Sequence, residues 1–165
     1  ETSTICHQLN SREFEDVELT VAISKLIKKF NQFFPKIEVD IEIDVDIEID
    51  GSEEAISEKL KTVVYRVVQE ALNNIGKHSG ANAVKIKLAA LHNQLLLKVV
   101  DNGCGFDVQA VEQRENSLSG FGLKSMQERA EICGGTLALH SQPGKGTTVS
   151  IALPISSPIV GGEDC

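Results

Sequence analysis

The clearest hydrophobic pattern in the chain lies between residues 56 and 80. Its apolar residues recur at spacings of three and four, the period of an amphipathic α-helix. They are Ile56, Leu60, Val63, Val64, Val67, Val68, Ala71, Leu72 and Ile75. Ser52 is suited to the N-cap, Glu53 and Glu54 then favour the first turn, and Gly80 is suited to the stop. We predict that this helix is the central element of the fold.

A second pattern occupies residues 39–50, where Val and Ile alternate strictly with Asp and Glu. Period two with β-branched residues predicts a strand with one buried and one solvated face. Because six acids on one face repel one another, we expect an edge strand that resists pairing with other sheets. A calcium site is the less favoured interpretation, since a straight strand cannot wrap its carboxylates around one ion.

The remaining patterns predict two further helices and two strand pairs. Residues 1–34 are expected to be helical, with an apolar stripe of Val17, Val21, Leu26, Ile27 and Phe30, and a helix is expected from Leu123 to Cys133, ended by Gly134 and Gly135. The strands are expected at 84–88, 95–100, 136–141 and 147–153, with turns at 91–94 and 142–146. We therefore predict an α+β fold, a two-layer α/β sandwich with helices on one face of one mixed, mostly antiparallel sheet.

Composition narrows the range of partners and compartments. The chain has 165 residues, enough for one domain, and a net charge of −8 without a cluster of Lys and Arg, which argues against nucleic acid or an anionic membrane as partner. No apolar run of membrane-spanning length and no signal peptide is visible. The four cysteines lack metal-ligand spacing, so we expect free thiols and a cytoplasmic location. Cys104 is expected to be a small residue filling a tight turn.

Candidate chemistry lies on the polar face of the central helix. Glu70, Asn74, Lys77 and His78 are spaced by four, three and one, which gathers them on one side. An acid, an amide, a cation and an imidazole are groups that hold a metal-bound phosphate. This spacing alone also fits the solvated face of an ordinary amphipathic helix.

A second candidate is the loop DNGCGF at residues 101–106, which follows a buried strand. Gly103 and Gly105 let the backbone approach a ligand closely. The Asp101 carboxylate can accept a hydrogen bond from the amino group of adenine, whereas the carbonyl oxygen of guanine would leave two acceptors opposed. We therefore expect Asp101 to select adenine, although a plain turn explains this loop equally well on its own.

A third candidate is the pair Gly120 and Gly122, which we expect to precede the helix predicted from Leu123 to Cys133. Backbone N–H groups at a helix N-terminus bind phosphate, and Lys124 lies near that end. Two glycines at this spacing are weak evidence alone. They form neither the dinucleotide-binding fingerprint nor a Walker P-loop.

These stretches, taken in order, resemble the motifs of the Bergerat-type (GHKL) ATP-binding domain shared by histidine kinases, type II topoisomerases, MutL proteins and heat-shock chaperone ATPases. RVVQEALNNIGKHSGA is similar to the N box, DNGCGFD and GFGLKSMQERAEICGG to the two glycine boxes, and GKGTTVSIALP to the closing strand. The wording of the first and third resembles the NarX and DesK group of sensor histidine kinases, which serve NarL-type response regulators. The resemblance covers residues 37–154.

The resemblance implies roles for individual residues. Asn74 would coordinate Mg²⁺ on the triphosphate of ATP, and Glu70 would help to order the metal shell. Lys77 and His78 would contact phosphates or close over the nucleotide. Asp101 would bind the adenine amine, helped by Gly105 and by Thr147 or Thr148 through water. The other implied nucleotide contacts are Gly103, Gly120, Gly122 and Leu123. Residues 106–119 would form a lid between the glycine boxes.

One departure concerns the phosphoacceptor, which in this family is a histidine followed directly by an acid. None of the four histidines of this chain is followed by an acid. We therefore expect the catalytic part of a larger kinase, with residues 1–36 as the end of a dimerisation helix and connector, 37–154 as the ATP-binding domain and 155–165 as a disordered tail.

The expected partners are the phosphoacceptor domain of the same parent chain, a NarL-type response regulator and a second parent subunit in a homodimer. Alternatives built on the same site are an anti-sigma-type serine kinase, a nucleotide-gated ATPase clamp and a degenerate binding module. The wording of the second glycine box argues against the clamp, and intact Glu70, Asn74 and Asp101 argue against degeneracy.

Overall fold

The computed structural model describes residues 19–45, 56–91, 93–109 and 118–155. Its elements, in chain order, are α1 (Leu19–Phe33), β1 (Glu38–Val45), α2 (Glu58–Asn74), β2 (Ala83–Leu91), β3 (Gln94–Asp101), α3 (Leu118–Ile132), β4 (Thr136–Ser141) and β5 (Thr147–Pro154). One π-helical turn, Ile75–Ser79, continues α2. The element order is the one that the sequence patterns predict.

The five strands form one sheet in the order β1-β2-β3-β5-β4. β1 pairs in parallel with β2, and every other pair is antiparallel. The acidic strand therefore lies at an edge of the sheet, as predicted, with Asp40 and Glu42 exposed. Residues 46–50, the second half of the predicted strand, lie outside the described residues.

One face of the sheet carries the core. The register places Val84 opposite Asp101, Ile86 opposite Val99, and Asp101 opposite Thr147, so these side chains share a face. The inward residues of the three central strands are buried in one cluster with apolar residues of all three helices. The predicted two-layer sandwich, with helices on one face of a mixed and mostly antiparallel sheet, is confirmed.

The central helix is buried on most of its surface. All nine apolar positions predicted for it are buried. The helix begins at Glu58, and the Ser57 hydroxyl caps it by accepting the N–H of Leu60 at 3.3 Å. The prediction of Ser52 as the N-cap was therefore wrong, and residue 52 itself lies outside the described residues. The helical segment ends before Gly80, as predicted.

The N-terminal helix packs on the same core. Its buried residues are Leu19, Ile23, Leu26, Ile27 and Phe30. The prediction that Val21 belongs to the apolar stripe was wrong, because Val21 is 43% exposed and lies off the face set by Ile23 and Phe30. Val17 lies outside the described residues. No described helix combines the length and the apolar character needed to cross a membrane.

The third helix begins five residues earlier than predicted, at Leu118. Gly120 and Gly122 consequently lie within its first turns, and the prediction that they precede the helix was wrong. Residues 118 and 119, expected to end a lid, are helical as well. Residues 110–117 of that expected lid lie outside the described residues.

Candidate functional site

A cavity of about 190 Å³ lies between the end of α2, the inward face of the sheet and the DNGCGF loop. Its walls are formed by Ala71, Asn74, Ile75, His78, Ser79, Val99, Asp101, Cys104, Gly105, Phe106, Leu139, Thr147 and Val149. Pockets for whole drug-sized ligands start at about 300 Å³, so this one fits the planar base of a nucleotide rather than the whole molecule. The cavity brings together five residues that the sequence predicts as site residues: Asn74, His78, Asp101, Gly105 and Thr147.

Asp101 is the buried acid of this cavity. It ends β3 on the inward face and is only 6% exposed. Its Oδ1 accepts the N–H of Gly103 at 2.8 Å. Burial raises the pKa of the Asp101 carboxyl, and the backbone N–H groups of Gly103 and Thr147 act in the opposite direction. A carboxylate has about four lone-pair sites, so Asp101 retains acceptor capacity for a ligand donor.

The DNGCGF loop is fixed to the start of β2 by Asn102. The Oδ1 of Asn102 accepts the backbone N–H groups of Asn82 and Ala83, each at 3.1 Å. Its Nδ2 donates to Oδ1 of Asn82 at 2.6 Å. Five backbone and side-chain groups are thereby hydrogen-bonded to one another, and the residue after Asp101 is held in place.

Cys104 connects the π-helical turn after α2 to the turn between β4 and β5 through its backbone. Its N–H donates to the carbonyl of Ser79 at 2.7 Å, and its carbonyl accepts the N–H of Gly144 at 2.6 Å. The side chain is exposed and a free thiol, with Sγ 3.6 Å from the carbonyl oxygen of His78. Besides its expected place in the DNGCGF loop, Cys104 also forms part of the cavity wall.

Gly105 approaches the turn between β4 and β5 so closely that no side chain fits. Its φ is +63°, and a Cβ would overlap the carbonyl oxygen of Gln142. A residue with a side chain would be strained at this φ and would push the turn away. Glycine at this position therefore allows the DNGCGF loop to pack against the turn that precedes Thr147.

The polar face of α2 lies at one end of the cavity. Glu70 and Asn74 are one turn apart and both half-buried, while Lys77 and His78 in the π-helical turn are exposed. Burial raises the pKa of the Glu70 carboxyl, and the charge of Lys77 lowers it in part. The Glu70 carboxylate and the Asn74 amide thus lie on the same face of the helix, and the Asn74 amide lies one turn before the ammonium of Lys77 and the imidazole of His78.

Residues 60–157 match the family described as histidine kinase-, DNA gyrase B-, and HSP90-like ATPase. The chain belongs to this ATPase family. The predicted resemblance to Bergerat-type domains is therefore confirmed.

Sensor histidine kinases are among the relatives of this ATPase-family chain. It is 42% identical over 103 residues to the sensor histidine kinase LiaS of Bacillus subtilis, covering 62% of this chain and 27% of LiaS. It is 32% identical over 157 residues to the histidine-protein kinase/phosphatase DegS of Brevibacillus brevis, covering 95% of this chain and 38% of DegS. The chain thus spans about a third of the length of these curated relatives.

Two solved histidine kinase structures share the fold. One is the histidine kinase domain from Erythrobacter litoralis EL346 blue-light activated histidine kinase, with a TM-score of 0.64 and 17% identity over 84% of this chain and 62% of that one. The other is AdeS of Acinetobacter baumannii, with a TM-score of 0.61 and 16% identity over 85% of this chain and 66% of that one.

Several predicted contacts of the ATPase domain do not line the cavity. Thr148 lies on the opposite face of β5 from Thr147 and lines a shallow hollow with His140, whereas Thr147 lines the cavity. Gly103 contributes its N–H to Asp101 and no cavity wall among the described residues. Glu70, Lys77, Gly120, Gly122 and Leu123 are likewise outside the described wall.

The apolar walls of the cavity are not among the site residues predicted from the sequence. Val99 lies two residues before Asp101 on the same strand face, so the alternation in β3 carried the information needed to find it. Leu139 could not be found that way, because its place depends on the pairing of β4 with β5. Ser79 and Phe106 also line the cavity.

Proposed function

We propose that this chain is the ATP-binding catalytic domain of a two-component sensor histidine kinase, which donates the γ-phosphoryl group of ATP to a histidine on an upstream dimerisation domain. The observation that carries the proposal is the buried Asp101 acceptor inside a base-sized cavity, with Asn74 of the stretch that resembles the N box in its wall. Membership of the ATPase family and the relationship to sensor histidine kinases support it.

Adenine recognition would depend on Asp101. Its carboxylate is desolvated and interacts with the backbone N–H groups of Gly103 and Thr147, which still leaves acceptor sites for the adenine amine. Guanine presents a carbonyl oxygen at the corresponding position, and two desolvated acceptors facing each other are costly. Apolar Val99, Leu139 and Val149 in the wall suit the faces of a planar base.

Mg²⁺ would be held near Asn74 and Glu70. A carboxylate and an amide oxygen are hard oxygen ligands of the kind that Mg²⁺ accepts, together with phosphate oxygens and water. The described residues contain no group of three or more His, Cys, Asp and Glu side chains that could hold a metal ion without a substrate. This agrees with an ion that arrives with ATP and neutralises the charge of its phosphates.

The phosphates would extend from the cavity along the exposed end of α2. Lys77 and His78 are exposed there and can contact anionic oxygens. The backbone N–H of Gly120 lies in the first turn of α3, where N–H groups have no intrahelical partners and would be open to phosphate, and Gly122 and Leu123 follow in the next turn. Positioning and electrostatic stabilisation would then supply most of the catalysis.

The partners follow from this assignment. The domain would act on the dimerisation domain of its own parent chain, which would form a homodimer, and the phosphoryl group would pass to a NarL-type response regulator in the cytoplasm. Nucleic acid is not proposed as a partner, because the chain carries a net charge of −8.

Phosphotransfer to a separately produced dimerisation domain tests the proposal. With radiolabelled ATP, the label is expected on histidine, where it is acid-labile and base-stable, and is expected to be lost with Asp101→Asn. Label on serine, which is acid-stable, would contradict the histidine kinase assignment and favour the anti-sigma-type serine kinase. No transfer to any acceptor, with ATP bound, would favour an ATPase clamp.

A further inference from the structure

The hydroxyl of Ser141, the last residue of β4, lies at the centre of three short polar contacts. Its Oγ accepts the backbone N–H of Phe106 at 2.9 Å. It also lies 3.1 Å from the carbonyl oxygen of Gly146 and 2.8 Å from Oγ1 of Thr147. Ser141 is half-buried and lies outside the described wall of the base-sized cavity, whereas Phe106 and Thr147 both belong to that wall.

The direction of these hydrogen bonds follows from counting protons. A carbonyl oxygen only accepts, so the bond to Gly146 uses the single proton of the Ser141 hydroxyl. The N–H of Phe106 only donates, and it takes one lone pair of Ser141. The contact with Thr147 is then satisfied only if Thr147 donates its own proton to Ser141. All three contacts are made in this arrangement, which leaves the Thr147 oxygen without a proton to offer the cavity.

This arrangement sets the polarity of the adenine end of the site. Thr147 is the cross-strand neighbour of Asp101, and both side chains lie on the inward face and in the cavity wall. With its proton directed to Ser141, Thr147 presents lone pairs beside a carboxylate that also only accepts. The pair therefore favours a ligand edge, or a bridging water, that donates hydrogen bonds. An amine fits this edge better than a carbonyl.

We propose that Ser141 is a positioning residue for nucleotide recognition: it makes Thr147 a pure acceptor at the adenine end and ties Phe106 to the same point. The inference rests on the proposed function. If the hydroxyl is removed, Thr147 is free to turn its proton towards the cavity and occupy acceptor capacity that the adenine amine requires. The N–H of Phe106 loses its partner at the same time.

The test compares ADP with inosine diphosphate, in which a carbonyl oxygen replaces the adenine amine, by calorimetric titration of the 165-residue chain. Ser141→Ala is expected to lose about three- to tenfold in ADP affinity, the factor that corresponds to one ordinary hydrogen bond. Affinity for inosine diphosphate is expected to change less, so the preference for ADP falls. Ser141→Thr, which keeps the hydroxyl, is expected to restore the preference.

Two further variants separate positioning from stability. Ser150→Ala removes a hydroxyl of β5 from the opposite face of the same strand pair, and it is expected to leave the ratio of the two affinities unchanged. Thr147→Val removes the group through which Ser141 acts, so adding Ser141→Ala to it is expected to have no further effect on the ratio. Should Ser141→Ala fail to fold, Ser141→Cys keeps the volume with only a weak donor and acceptor.

An unchanged ratio for Ser141→Ala or Ser141→Cys, even with a lower melting temperature, would overturn the inference and leave the proposed function standing. A reduced ratio that Ser141→Thr does not restore would also overturn it. If the unmodified chain binds neither nucleotide, or binds both equally, the proposed function itself fails, and this result is recognisable before any variant is made.

Discussion

The carboxylate of Glu70 lies against the backbone of Gly122. A Cβ added to Gly122 would overlap Oε1 of Glu70 and stand 2.7 Å from its Cδ. The N box and the second glycine box, which are separated in sequence by the whole of β2 and β3, therefore touch at this point. Because Gly122 has no side chain, the Glu70 carboxylate has room to lie beside α3.

Gly122→Ala is expected to keep the fold and to move Glu70. Alanine is a better helix former than glycine by about 0.5–1 kcal/mol, and the overlap is with the end of a flexible side chain that can rotate away. The melting temperature should therefore be equal or higher, while the displaced carboxylate weakens the Mg²⁺ dependence of ADP binding. Thermal unfolding and calorimetric titration at several Mg²⁺ concentrations measure the two effects.

The control for this variant is Ser125→Ala, half-buried in the same helix, which is expected to leave the Mg²⁺ dependence unchanged. An unchanged Mg²⁺ dependence in Gly122→Ala as well would show that the position of the Glu70 carboxylate does not matter for the bound ion.

Asp101→Asn is expected to weaken ADP binding about ten- to hundredfold, the range for losing a hydrogen bond to a charged group. The fold should be kept, because the asparagine oxygen can still accept the N–H of Gly103. Asp40→Asn, an exposed acid on β1, is the matched control and should bind ADP like the unmodified chain. Equal affinities for all three proteins would remove Asp101 from the site.

The pH dependence of stability follows from the raised pKa of Asp101. A carboxyl whose pKa is higher in the folded than in the unfolded state stabilises the fold at low pH, and this contribution is lost as pH rises through the folded pKa. At neutral pH Asp101→Asn should therefore have the larger free energy of unfolding. Its advantage should shrink as pH falls towards the ordinary aspartate value of 3.8. Denaturant unfolding at several pH values measures the difference, and an advantage that grows on acidification would contradict the assigned cause.

The site residues predictable from sequence are those whose place depends on a motif and a strand end. Asp101 follows an apolar run and precedes two glycines, and Asn74 lies one turn from Glu70 on a strongly periodic helix. The position of Thr147, rather than Thr148, in the cavity wall was not predictable, because it depends on the register that sets Thr147 opposite Asp101. The Ser141 contacts likewise require the pairing of β4 with β5.

The errors in the fold have similar causes. Glycine is a poor helix former, so the sequence predicts that Gly120 and Gly122 precede the helix. In the structure both lie inside α3, and Gly122 contacts Glu70. The π-helical turn at 75–79 has no sequence pattern that distinguishes it from an α-helix. Val21 was wrongly assigned to the buried stripe. Leu19 belongs there instead, since it lies four residues before the buried Ile23.

Asn74→Asp is expected to change the metal requirement of nucleotide binding. A carboxylate near the phosphates adds repulsion of roughly 1 kcal/mol at 4 Å in water, so ADP without Mg²⁺ should bind about fivefold more weakly. Mg²⁺ should restore part of the affinity, because it neutralises both groups. Asn73→Asp places the same charge one residue away, outside the described cavity wall, and should behave like the unmodified chain. Identical responses of the two variants to Mg²⁺ would argue against a metal role for Asn74.

We expect the cavity around Asp101 to bind the adenine of a nucleotide. Calorimetric titration of the chain with ADP and with GDP, each with and without Mg²⁺, tests it most directly. ADP is expected to bind in a way that responds to Mg²⁺, and GDP is expected to bind much more weakly, because its carbonyl oxygen would face the Asp101 carboxylate. Equal affinity for both nucleotides, or no binding of either, would contradict it.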